Sequence, residues 1–159
     1  MPICLVHIAS EVRMSLSPSF ARLVCDATAD QPTPINVTTG LALARAIRRG
    51  LPTTAIDYLV KIGKLSPAEI DRVVIPRKTL AHRKIQGSLT ADQSDRFVRV
   101  ARIISLAEDT FANTAKAGTW LRRSTSALND EKPLDLLDTE EGAREVEMLL
   151  TRIAHGIAA

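Results

Sequence analysis

The stretch L-S-P-A-E-I-D-R-V-V-I-P-R-K-T-L-A-H-R-K-I-Q-G, residues 65–87, decides the fold. Ser66 is placed to cap a helix, Pro67 suits a first helical position where an N–H would have no partner, and Glu69 completes a capping box. Pro76 disfavours helical backbone at Ile75, so the first helix ends there or just before. The same proline opens a second helix, which Gly87 stops. Two short helices across a tight break are the plan of a helix-turn-helix.

The second of these helices is crowded with Arg77, Lys78, Thr79, His82, Arg83 and Lys84. Turning Leu80 inward puts Lys78, Thr79, His82 and Gln86 on or near the opposite face, with Arg77 and Lys84 able to reach sideways. A helix of this kind fits a major groove, its cations on phosphates and Thr79, His82 or Lys78 near base edges. Arg77, Lys78, Thr79, His82, Arg83 and Lys84 are therefore candidate contacts to double-stranded DNA. The bland alternative is a solvated basic face.

On the N-terminal side, Thr38 or Thr39 can cap a helix through Leu41, Ala42, Ala44, Arg45, Ile47 and Arg48 that stops at Gly50. Another begins after Pro52, carries Ile56, Leu59, Val60 and Ile62, and ends at Gly63. Helix-turn-helix proteins commonly bind DNA as dimers, and residues 39–62 are the candidate homodimer surface. Residues 1–34 read as a poorly ordered arm, because Pro2, Pro18, Pro32, Pro34 and the cluster A-T-A-D-Q-P-T-P break any long periodicity. Phe20, Leu23 and Val24 offer one short helical turn within it, and Met14 is an alternative start that would exclude residues 1–13.

On the C-terminal side, Thr90 and Gln93 make a second capping box. The helix it opens has Phe97, Val100, Ala101 and Ile104 on one face and two i,i+4 pairs, Asp92 with Arg96 and Asp95 with Arg99. Asn113 or Thr114 starts a short helix with Ala117, Trp120 and Leu121 on its buried edge. The run S-T-S-A-L-N-D-E-K-P, residues 124–133, is a loop. A last helix, capped by Asp138 with Glu141 as its box partner, carries Val146, Leu149, Leu150, Ile153 and Ile157 on one face. No run argues for a strand, so the fold class is all-α, divided into an arm (1–34), a helix-turn-helix domain (35–89) and a small helical domain (90–159).

Composition bounds the function. The 159 residues suffice for one ordinary domain or two small ones, and 45% hydrophobic content marks a chain with a real core. Aromatics at 3% are too few for base stacking on single strands. Cys4 and Cys25 have no metal-ligand spacing, and His7, His82 and His155 are scattered without a second ligand or base nearby. No catalytic residue, metal or cofactor is expected, and the chain is not read as an enzyme. The first residues lack the basic start of a secretory signal, and no apolar run reaches membrane-spanning length, so a soluble cytoplasmic protein is expected. Residues 1–89 hold 12 Lys and Arg against 6 Asp and Glu, whereas residues 90–159 hold 9 against 12. The basic half suits a polyanion and the acidic half a different partner.

Trp120-Leu121, Leu128, Pro133-Leu134, Leu136-Leu137, Thr139, Gly142, Val146, Leu149, Ile153 and Gly156, in that order, resemble the Xre/MbcA/ParS toxin-binding domain. The segments R-K-T-L-A-H-R-K and G-S-L-T-A-D-Q-S-D-R-F-V-R-V-A-R resemble the recognition and connecting helices of the Xre-like helix-turn-helix that usually precedes it. The likeness spans residues 38–159. Asn129-Asp130 stand where a glycine is common, and Ser124-Thr125-Ser126 where a proline is common. The resemblance implies the antitoxin of a type II toxin–antitoxin pair, partnered with a RES-domain toxin that degrades NAD. It implies that the C-terminal domain blocks the toxin's active site while the helix-turn-helix represses the operon at its operator, within a higher-order complex. Steric occlusion would then fall to the last helix and tail: Met148, Arg152, Ile153, His155, Gly156, Ile157, Ala158 and Ala159, with Arg152 and His155 available for polar contacts.

Overall fold

The computed structural model describes residues 17–29 and 39–156. These form α1 (Pro18–Ala27), α2 (Gly40–Arg49), α3 (Thr54–Lys61), α4 (Pro67–Val73), α5 (Arg77–Gln86), α6 (Ala91–Phe111), α7 (Thr114–Arg122) and α8 (Glu140–Ala154). Two 3-10 turns, Ser126–Leu128 and Asp135–Asp138, lie between α7 and α8, and there is no strand among the described residues. The protein is all-α, a helix-turn-helix bundle followed by a second helical unit.

The axle is α6. Both halves of its capping box form: Gln93 N–H donates to Thr90 Oγ1 at 3.2 Å, and Thr90 N–H donates to Gln93 Oε1 at 3.0 Å. No Gly or Pro then interrupts it for 21 residues. Phe97, Val98, Val100, Ala101, Ile103, Ile104 and Ala107 are all buried, more than one stripe, because α1 and α2 pack against this helix as well as α7 and α8. Buried Ser94 is satisfied on both sides, donating to Thr90 O at 2.7 Å and accepting from Leu51 N–H at 2.8 Å. Asp95 pairs with Arg99 at 3.0 Å as the spacing predicts, and Arg99 also reaches Glu140 of α8 at 2.9 Å. The pair expected between Asp92 and Arg96 does not form.

The N-terminal stretch departs from its reading as a loose arm with one helical turn. Residues 18–27 make a three-turn helix whose Phe20, Val24 and Ala27 are buried on α6 and α3. Two hydroxyls pin its start, Ser17 Oγ donating to Asp109 Oδ2 at 2.6 Å and Ser19 Oγ to Asp109 Oδ1 at 2.5 Å. Its end faces Tyr58, whose phenol is pushed up in pKa by burial and by the Asp26 carboxylate beside it. The proline at position 18 starts this helix instead of breaking it.

The start of α8 is also corrected. Asp138 closes the preceding 3-10 turn, and the cap is Thr139, whose Oγ1 accepts from Gly142 N–H at 3.1 Å. No capping box follows, since the third helical position is Gly142 and not Glu141. A Cβ at Gly142 would stand 2.1 Å from Leu136 O, so the turn can fold back on α8 only with glycine there.

Candidate functional site

The first site is built from α4, the turn after it, and α5. Ser66 and Glu69 form the expected box: Glu69 N–H donates to Ser66 Oγ at 3.3 Å and Ser66 N–H to Glu69 Oε2 at 2.7 Å. Val73, Val74 and Ile75 are buried, so the break is sealed by apolar packing and not by polar turn chemistry. Pro76 is the N-cap of α5, and because its side chain cannot accept a hydrogen bond, the Asp71 carboxylate accepts from Arg77 N–H instead.

No residue of α5 is buried, and Leu80, half-buried, is its anchor on the core. Lys78 and His82 stand exposed on the outer face, with Thr79 half-buried at its edge. His82 Nε2 lies 3.1 Å from Gln86 Nε2, and Gln86 Oε1 accepts from Arg83 Nη1 at 2.6 Å. Arg83 is half-buried, and Lys84 is paired with Asp57 of α3 at 2.7 Å. The six residues share one short helix, but their situations differ: Arg77, Lys78 and His82 are exposed, Thr79 is half-buried, and Arg83 and Lys84 are engaged by Gln86 and Asp57. Ile85 was not singled out from sequence and is 86% exposed. Its place three residues after His82 and seven after Lys78 on an otherwise polar face is the signal that could have found it.

The second site is the end of α8. Val146, Leu149 and Leu150 are buried, and Ile153 is half-buried against the same core. Past them the helix runs out of cover: Met148 is 48% exposed, and Arg152, Ala154, His155 and Gly156 are exposed. Gly156 takes a positive φ of 66° just beyond the helix. Ile157, Ala158 and Ala159 lie outside the described residues, as does His7.

Charged contacts join the helix-turn-helix to the C-terminal unit. Arg122 of α7 grips Glu69 with Nε at 2.7 Å and Nη2 at 3.0 Å, and donates to Lys64 O at 3.1 Å and Gly118 O at 3.0 Å. Burial raises the Glu69 pKa, but the hydrogen bonds from Arg122 and Ser66 outweigh it and hold the carboxyl below its usual value. Arg72 pairs with Asp135 and Lys64 with Glu108. The capping box of α4 is thus part of an ion-pair network that ends in the other half of the chain.

Among the described residues no group of three or more His, Cys, Asp or Glu is arranged to hold a metal ion, and no helix is long and apolar enough to cross a membrane. The loop that departs from the family pattern has a clear conformation: Asn129 and Asp130 take φ of 55° and 62°, the left-handed region that glycine would occupy without strain.

Comparison with known proteins agrees with this two-part architecture. Residues 42–102 match the Antitoxin Xre-like helix-turn-helix domain, and residues 106–156 match the Antitoxin Xre/MbcA/ParS C-terminal toxin-binding domain. The chain is 36% identical to an Antitoxin Xre from Pseudomonas putida over 111 residues, 69% of each chain. It is 34% identical to an Antitoxin Xre from Yersinia enterocolitica over 121 residues, 74% of this chain and 82% of that one. An Antitoxin Xre from Photorhabdus laumondii is 33% identical over 123 residues, 76% of this chain and 83% of its own. With both halves matched in order and such identity over most of the length, the chain belongs to the Xre family of antitoxins.

Proposed function

We propose that this chain neutralises a RES-domain, NAD-degrading toxin by seating the end of α8 and the residues after it in the toxin's active-site entrance. The same chain represses its own operon by laying α5 in the major groove of operator DNA. The observation that carries the first part is the change along α8, which spends Val146, Leu149 and Leu150 on its own core and leaves Met148, Arg152, His155 and Gly156 exposed. Ile153, half on the core, marks the boundary, and Ile157, Ala158 and Ala159 extend the occluding end. The second part is supported by Arg77, Lys78, Arg83 and Lys84 on a helix with no carboxylate, behind a turn held by buried Val74 and Ile75.

Inhibition on this reading is steric and needs no catalytic group from this chain. Arg152 and His155 supply polar contacts to groups in the toxin that otherwise meet substrate phosphates or acidic residues. The protein works in the cytoplasm as a homodimer within a higher-order toxin–antitoxin complex. The functional division falls at residues 35–89 for DNA and 90–159 for the toxin, with α6 packed against both.

The test is co-expression with the product of the adjacent gene. Arg152→Glu with His155→Glu should fail to rescue growth while still shifting operator DNA. A double variant that rescues as well as the parent chain would remove the end of α8 from the toxin interface.

A further inference from the structure

We propose that α2 is a second DNA-contacting helix, whose Arg45, Arg48 and Arg49 bind backbone phosphates beside the groove entered by α5. This rests on the DNA-binding reading of α5. α2 buries Leu43 and Ala46 and leaves Arg45, Arg48 and Arg49 exposed on its opposite side. It has no Asp or Glu, and none of the three arginines has an ion-pair or hydrogen-bond partner among the described residues. In α5, by contrast, Lys84 is already neutralised by Asp57 and Arg83 is tied to Gln86. The cations left uncommitted by the domain are therefore more numerous on α2 than on the helix that enters the groove.

The backbone ties together the short segments that follow the two basic helices. Leu89 N–H donates to Leu51 O at 2.8 Å and Thr53 N–H donates to Gly87 O at 3.2 Å, a short antiparallel strap directly after both helices. Gly50 caps α2 with a φ of 88°, and a Cβ there would lie 2.2 Å from Leu89 O, so the strap closes only over glycine. Ser94 fixes the same strap to α6 through Leu51 N–H. Because the strap is antiparallel, with Leu51 opposite Leu89 and Thr53 opposite Gly87, the last turn of α2, with Arg48 and Arg49, stands at one end of it and the last turn of α5, with Arg83 and Lys84, at the other, only a few residues of extended chain apart.

A polyanion fits this face better than a second copy of the chain does. In a two-fold interface the same patch opposes itself, so these arginines would meet their own mates with no carboxylate on α2 to offset them. Arg48 and Arg49 also complement the C-terminal end of the α2 dipole, but Arg45 sits a turn earlier, where that effect has faded.

The experiment is a salt series of anisotropy titrations with the full chain and its Arg45→Gln/Arg48→Gln/Arg49→Gln variant. Two duplexes of equal length serve as probes, one from the region upstream of the gene and one of random sequence. Each lost phosphate contact lowers the slope of log K against log salt by about 0.9. The triple variant should therefore lose roughly two to three slope units on both duplexes while keeping its preference for the upstream one. Unchanged slopes in a variant that melts like the parent chain would overturn the proposal and leave α5 as the reader. Parent chain that binds neither duplex would overturn the α5 reading as well. Should the triple variant unfold, Arg45→Gln alone decides, since it is clear of the helix end: a loss of about one unit supports the proposal and no loss refutes it.

Discussion

Replacing Arg122 with alanine should unfasten the helix-turn-helix from the C-terminal unit at a measurable cost. The guanidinium makes two bonds to Glu69, at 2.7 and 3.0 Å, and two to main-chain oxygens, at 3.1 and 3.0 Å. Hydrogen bonds to charged groups contribute about 1.5–3 kcal/mol when their partner is left buried. The Glu69 side chain is 13% exposed and so nearly meets that condition, but Arg122 is 40% exposed, which moves the value to the lower end. The Ser66 N–H remains to solvate Glu69. The net expectation is a loss of about 1.5–2 kcal/mol, or roughly 3–8 °C in melting temperature for a chain of this size. Acid adds a second readout. Because the Glu69 pKa is lower in the folded chain than in the unfolded one, its stabilisation is complete above the ordinary carboxylate pKa and is lost as pH falls through the folded value. Urea denaturation at neutral pH and at about pH 3 should therefore show the parent and variant chains converging in acid. A double-mutant cycle with Glu69→Gln should return a coupling of about 1 kcal/mol. A loss below about 0.5 kcal/mol at neutral pH, or a gap that widens in acid, would refute the reasoning.

Other perturbations test separate parts of the fold. Gly142→Ala puts a methyl 2.1 Å from Leu136 O and should cost about 2–3 kcal/mol by thermal denaturation, with the turn before α8 forced outward. Ala112→Gly should stabilise the chain by roughly 0.5–1 kcal/mol, because Ala112 ends α6 in the left-handed region at φ 47° where glycine carries no Cβ strain. Phe20 is 1% exposed, so Phe20→Ala should cost about 3 kcal/mol or more; a neutral result would detach α1 from the core.

The parts of this fold that were legible in sequence are those set by local chemistry. Ser66 with Glu69 and Thr90 with Gln93 each satisfy backbone groups within one turn, and both boxes form with all four main-chain bonds. α1 carried the same Ser-Pro start at Ser17-Pro18, with Phe20, Val24 and Ala27 at helical spacing. It was hidden because Ser17 spends its hydroxyl on Asp109, a partner 92 residues away, and not on its own helix. The start of α8 was misplaced by one residue because Asp138 is as good a cap as Thr139 in isolation. What decides between them is the approach of Leu136 O to Gly142, a contact between two turns. The basic face of α5 was legible as composition but not as availability, since Asp57 comes to Lys84 from another helix. The same limit hid Arg122, whose importance lies wholly in Glu69, 53 residues distant.

The central claim is that this antitoxin silences its partner through the end of α8, and NAD consumption by the adjacent gene's product measures it most directly. The toxin should consume NAD alone, stop when the full chain is added in slight excess, and resume near its full rate when the chain added lacks residues 153–159. The truncated chain should still bind the upstream duplex, which shows that it has folded. A truncated chain that folds and still stops NAD loss as well as the full one would contradict the account, as would an adjacent gene product that leaves NAD untouched.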